Sequence, residues 1–131
     1  MRLLVDTVTW IWSVSATQRL NPDATELLED PQHELYFSAA SAWEIAIKSA
    51  LGKLNLPGPP RVLVPRESAR LGLRPLPVNQ GHALGVFDLP YHHRDPFDRL
   101  LVAQARSEGL TLLTADRDIQ RYDVPSVWAG R

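Results

Sequence analysis

Short apolar runs alternate with segments of helical spacing along this chain, and that alternation restricts the fold more than any other feature. Arg2 to Asp6, Glu34 to Ser38 and Leu110 to Thr114 each read as a buried strand, with Leu3-Leu4-Val5 and Leu35-Tyr36-Phe37 as the apolar centres. Val124 to Trp128 reads as a last strand. Leu73 to Val78 reads as a short edge strand, because Pro75 and Pro77 cannot donate to a central ladder. Thr7 to Val14 follows the first strand as a turn leading into a short helix. Asn21 and Pro22 open the next helix as cap and first residue, and it stops near Asp30-Pro31. Ser41 is expected to cap a helix over Ala42 to Leu51, ended by Gly52. A proline-restricted loop over Leu54 to Pro65 precedes a helix at Arg66 to Leu71, with a start as early as Arg61 allowed. Asn79 to Phe87 reads as a brief helix and Asp116 to Arg121 as another. Asp95 and Pro96 open a longer one that runs to Glu108 and ends at Gly109. Strands joined through helices need crossovers, so the expected class is α/β with a parallel sheet. With no repeats and no internal boundary, a single domain over residues 1–131 is expected.

Composition bounds the possible functions. A hydrophobic fraction of 44% supports a real core. The formal charge of -1 argues against tight duplex binding driven by overall basicity, though it leaves room for a local basic rim. With no cysteine, disulfides and thiolate metal sites are ruled out. The opening residues lack the features of a secretory signal, and no apolar run approaches the roughly 20 residues of a membrane span. A soluble, cytoplasmic protein with no membrane partner is expected.

Four carboxylates fall where a parallel sheet would gather them. Asp6 ends the first strand, and Asp116 follows the run Leu110 to Thr114. Glu44 and Asp98 each lie in the expected first turn of a helix. The carboxyl ends of strands and the amino ends of helices share one edge of an α/β sheet. Acids gathered there repel one another unless a hard cation such as magnesium or manganese neutralises them. Each acid also has a structural reading. Asp6 could cap the following turn. Glu44 completes the capping box Ser41-Ala42-Trp43-Glu44 and stands four residues before Lys48. Asp98 suits a helix dipole, and Asp95 is mainly a cap. Asp116 is favoured over Asp118 because it is nearer the strand end, and Thr114 could orient a carboxylate or water there.

The cations Lys48, Arg94, Arg99 and Arg117 fall close to these acids in sequence and could together hold a phosphate backbone. His92 and His93 adjoin Arg94 and could contact phosphate, while His33 and His82 read as isolated surface residues. Zinc fails on spacing, and no G-x-S-x-G, Walker or G-x-G-x-x-G pattern is present.

Several segments together resemble PIN domains, and among them the VapC-type toxins of type II toxin–antitoxin systems. They are Asp6-Thr7; Ser38 to Lys48, with Trp43-Glu44-Ile45; His93 to Ala105, with Arg94-Asp95-Pro96-Phe97-Asp98-Arg99; and Leu113-Thr114-Ala115-Asp116. The resemblance covers nearly the whole chain in the right order. It implies a three-layer α/β/α domain with a mostly parallel central sheet and magnesium- or manganese-dependent cleavage of RNA. It carries the family's acidic quartet onto Asp6, Glu44, Asp98 and Asp116, with Asp118 as a secondary metal ligand. It implies a VapB-type antitoxin that blocks the site, and frequent homodimers. Many relatives carry His after the Asp-Thr pair, where this chain has Val8.

The expected reaction is metal-assisted hydrolysis of RNA phosphodiester bonds in single-stranded or looped substrate. The quartet is expected to be catalytic, and Thr7, Lys48, Arg94, Arg99 and Thr114 are expected to meet substrate. The alternatives are a catalytically inactive PIN-like binding module, for which Trp10-Ile11-Trp12 could supply part of a docking surface, and a receiver-type regulatory domain. The receiver lacks support here, since Thr7 rather than a second acid follows Asp6 and the late strands offer no lysine.

Overall fold

Leu4 pairs with Tyr36 on one side and Leu112 on the other, which makes the first strand the centre of the sheet. The computed structural model describes all of residues 1–131. Its strands are β1 (Arg2–Val5), β2 (Glu34–Ser38), β3 (Arg74–Leu76), β4 (Thr111–Thr114) and β5 (Ser126–Trp128). They lie in the order β3-β2-β1-β4-β5, with every neighbouring pair parallel. A strand buried on both faces is apolar throughout, as Leu3-Leu4-Val5 is. β3, with Pro75 in its middle, sits at an edge as proline requires. Receiver-type sheets run 2-1-3-4-5, so this order does not fit the receiver alternative.

Six helices cover the sheet: α1 (Thr7–Ser15), α2 (Pro22–Glu29), α3 (Ala39–Ala50), α4 (Pro60–Leu71), α5 (Gln80–Gly85) and α6 (Pro96–Glu108). Side chains alternate across each strand. Leu3, Val5, Phe37 and Leu113 meet Trp10, Leu28, Ile45 and Leu63 on one face. Leu4 and Leu112 meet Leu101, Val102 and Ala105 of α6 on the other. This is the three-layer α/β/α arrangement that the family resemblance implied. No helix is long and apolar enough to cross a membrane.

The element boundaries depart from expectation in four places. Ser38, not Ser41, caps α3, its side chain accepting from Ala40 N, so the helix begins one turn early. Glu44 therefore lies in the second turn, and no capping box forms there. The chain passes from β1 into α1 without a separate turn, because Asp6 itself is the cap. α4 starts at Pro60, one residue before the earliest start the sequence allowed, and runs through Pro65. The expected helix at Asp116 to Arg121 contracts to a single 3₁₀ turn, Ile119–Arg121. His82 is buried rather than on the surface. Its backbone N–H donates to the Asn79 side chain at 2.8 Å, and its Nδ1 accepts from Asn79 N at 3.2 Å.

Candidate active site

Parallel strands deliver their carboxyl ends to one edge of the sheet, and the helices that follow begin there. Asp6 leaves β1 at that edge. Its Oδ1 accepts from Thr9 N at 2.8 Å, which caps α1. Its Oδ2 accepts from Thr114 Oγ1 at 2.5 Å and from Ala115 N at 3.3 Å. The same Thr114 hydroxyl accepts from Asp116 N at 2.9 Å, so one buried side chain ties the first acid to the last. Asp116 Oδ1 accepts from Asp118 N at 2.8 Å. Asp98 sits in the first turn of α6, below the cap Asp95, whose Oδ1 accepts from the amides of Phe97 and Asp98. Glu44 comes from α3, which packs against α6. One turn further on, Lys48 Nζ donates to Glu44 Oε2 at 2.5 Å.

The electrostatics follow from this crowding. Burial pushes the Asp98 carboxyl up to about 9, and the negative charges of Asp95, Asp116 and Glu44 add to the effect. Asp6 is raised as well, by complete burial, against the lowering effect of its bonds from Thr114, Thr9 and Ala115. Lys48 is held above its ordinary value, first by its bond to Glu44 and then by the charges of Glu44, Asp95 and Asp98. Glu44, Asp95, Asp98 and Asp116 therefore share one field, with Lys48 as a partial counter-charge.

No group of three or more His, Asp or Glu side chains stands ready-made as a metal cage. The donors nonetheless suit a hard divalent cation, which takes carboxylate oxygens. Glu44 Oε1 is buried without any hydrogen-bond partner, although its sister oxygen is paired. A buried carboxylate oxygen left in that state is costly unless a cation meets it.

A PIN domain family model matches residues 3–125. The chain belongs to the PIN domain family. Ribonuclease VapC16 of Mycobacterium tuberculosis is 43% identical over 68 residues, 49% of this chain and 48% of that protein. The PIN domain described here thus spans about half the length of the curated relative it matches. Among solved structures, VapBC2 from Rickettsia felis bound to a DNA fragment from their promoter matches with a TM-score of 0.73 and 14% identity, over 98% of this chain and 99% of that one. FitAB bound to an IR36 DNA fragment gives a TM-score of 0.61 and 24% identity, over 95% and 93% of the two chains. FitAcB from Neisseria gonorrhoeae gives 0.58 and 20%, over 96% of each. At these identities the structural likeness is one of fold.

The basic and hydroxyl residues of this PIN domain divide into rim and scaffold. Arg94 is exposed and directly precedes the cap Asp95, and Lys48 is half-buried among the acids. Arg117 is exposed, its guanidinium 4.9 Å from the Trp128 ring. Arg99 corrects the expectation of a phosphate contact. It is buried, and its guanidinium donates to Pro90 O and Tyr122 Oη at 3.0 Å each and to Val86 O at 3.3 Å. Thr7 is likewise internal, its hydroxyl donating to Ser41 Oγ at 2.8 Å and joining α1 to α3. The Asp118 side chain is half-exposed and lies 3.5 Å from Arg121, and its amide serves Asp116. His93 is the residue whose closeness the sequence reading understated: its Nε2 lies 3.4 Å from Asp98 Oδ2 and its Nδ1 2.8 Å from Tyr122 Oη. Tyr122, 29 residues away, was missed, because nothing local marks it.

Proposed function

We propose that residues 1–131 form one nuclease domain that hydrolyses RNA phosphodiester bonds with magnesium or manganese. A VapB-type antitoxin would neutralise it. The reading rests on one observation: Asp98 is buried among Asp95, Asp116 and Glu44, with Lys48 as the cation within their field. Family membership and the likeness to a protein named Ribonuclease VapC16 support the choice of RNA. The VapBC2 and FitAB assemblies support a partner protein. A homodimer and a cytoplasmic place of action belong to the same proposal.

Asp98 and Asp116 are the acids assigned to hold the ion, with Asp6 behind them and Glu44 joining through its unpartnered Oε1. When bound, a divalent ion supplies an acidified water and charge for the leaving oxygen. The chain supplies the rest. Thr114 fixes Asp6 against the Asp116 amide, so the two acids keep a constant relation. Asp95 pins the first turn of α6 and thus the height of Asp98. Lys48 and the exposed Arg94 are the cations left to meet phosphate oxygens, and the narrow acidic edge favours a single strand over a stiff duplex.

Asp98→Asn keeps the shape of the side chain and removes its charge. Cleavage of a single-stranded RNA by the purified variant should fall by more than about 100-fold, since even residues behind a ligand are worth 10–100-fold. The far-ultraviolet spectrum should not change. Undiminished cleavage by a folded Asp98→Asn chain would refute the assignment.

A further inference from the structure

Behind Asp98 stands a chain of hydrogen bonds whose other members the proposed function does not use: Arg99, Tyr122 and His93. Arg99 Nη1 lies 3.0 Å from Tyr122 Oη. Tyr122 Oη lies 2.8 Å from His93 Nδ1. His93 Nε2 lies 3.4 Å from Asp98 Oδ2. We propose that Tyr122 is a positioning residue that fixes the tautomer of His93, so that His93 presents an Nε2–H to Asp98 and sets its orientation. The role given to Asp98 rests on the nuclease reading above.

The direction of the chain follows from the donor inventory. A guanidinium only donates, so Tyr122 Oη accepts from Arg99. A phenol has one hydrogen, and the remaining neighbour of Tyr122 Oη is His93 Nδ1. Nδ1 is therefore the acceptor, and the proton of the neutral ring sits on Nε2. The opposite order would have both Arg99 and His93 donate to Tyr122. The phenol hydrogen would then be left without a partner on a side chain that is 3% exposed. A buried donor left unpaired gives up its hydrogen bond to water with nothing in return, which decides between the two.

The parts of this relay are held independently. Arg99 is anchored by Pro90 O and Val86 O, and its guanidinium also lies 4.8 Å from the Tyr91 ring. The Tyr122 ring meets His92 edge-on at 4.8 Å. Arg99 and Asp98 are adjacent on α6, so the relay leaves that helix through one residue and returns to the next through His93. An acid that binds a cation needs its second oxygen restrained, and outer hydrogen bonds do this. His93 Nε2–H restrains Oδ2 in this way.

The test uses the full chain labelled with nitrogen-15 and free of metal. Long-range proton–nitrogen correlation should give His93 the pattern of a protonated Nε2 and a bare Nδ1, assigned by loss of that signal in His93→Gln. Tyr122→Phe should convert it to a mixture of tautomers and weaken Mn2+ binding about tenfold by calorimetry. His93→Gln keeps a side-chain N–H for Asp98 and should bind Mn2+ close to wild type, whereas His93→Ala should match Tyr122→Phe. This second pair carries the test if Tyr122→Phe does not fold. A protonated Nδ1 in the wild-type chain overturns the relay even if RNA cleavage is normal. Mn2+ binding by His93→Ala as tight as wild type overturns it too. A wild-type chain with the expected tautomer that neither binds Mn2+ nor cuts RNA overturns the nuclease reading, and with it the purpose assigned to the relay.

Discussion

Asp98 keeps its proton far longer in the folded chain than a free aspartate would, because it is buried and faces three other carboxylates. In the unfolded chain it ionises near its ordinary value of 3.8, and in the folded chain only near 9. Across that window the folded state binds the extra proton, so the contribution of this carboxyl to stability is full below about pH 4 and is lost as pH rises towards about 9. Burial moves Asp6 in the same direction. Each unit of separation corresponds to about 1.4 kcal/mol at the limit, and coupling with the neighbouring acids brings the observed slope below it. In a metal chelator, the urea midpoint of the wild-type chain should fall between pH 5 and pH 8 (roughly the middle of this window). Asp98→Asn should flatten that fall and be the more stable chain at pH 8. An equal slope in both chains would show that Asp98 is not the strained group. The position of Asp98 was legible from Asp95-Pro96 and the first-turn spacing. Its crowding was legible only in part: Asp95 is three residues away, but Asp116 and Glu44 come from the end of β4 and from α3.

Among the elements, α6 and α2 were legible from end to end because their signals are local: Asp95-Pro96 with Gly109, and Asn21-Pro22. α3 was not, and the reason is instructive. Ser38 and Ser41 both stand at the start of the same apolar pattern, and only Ser41 completes the S-x-x-E rule. The structure uses Ser38 because β2 ends there and a distant partner meets it. Ser38 Oγ donates to Gln104 Oε1 at 2.5 Å while accepting from Ala40 N at 3.0 Å. Gln104 Nε2 in turn donates to Pro77 O at 3.3 Å, so the cap of α3, the middle of α6 and the segment after β3 share one network. A sequence rule cannot see a partner 66 residues away. Ser38→Ala removes the cap, worth about 0.5–2 kcal/mol, and leaves the fully buried Gln104 oxygen without its donor. Its total loss in urea unfolding should exceed the cap value alone. Ser38→Thr, which keeps the hydroxyl, should recover most of it. A loss below about 0.5 kcal/mol, the bottom of the cap range, would assign the start of α3 to packing instead.

At the scale of the molecule, the sheet carries two separate apolar layers, and both are complete without the acid edge. The scaffold therefore tolerates an edge that is electrostatically poor: a high Asp98, a raised Asp6 and a bare Glu44 oxygen. An ion that binds the folded edge and not the unfolded chain stabilises by mass action, by about 2.7 kcal/mol at 100 times its dissociation constant. For a domain of this size that is a rise in melting temperature of about 8 °C. The wild-type chain should show such a rise on passing from chelator to saturating Mn2+, and Asp98→Asn should show almost none. Ser38→Ala should melt lower than wild type in chelator yet gain the same increment, because it weakens the scaffold and leaves the acids in place. That contrast separates a site carried by the fold from a fold held up by its site. A wild-type chain that melts at one temperature with and without Mn2+ would mean that the converging acids enclose no ion. The crowding at Asp98 would then have to be relieved by Lys48 and the His93 hydrogen bond.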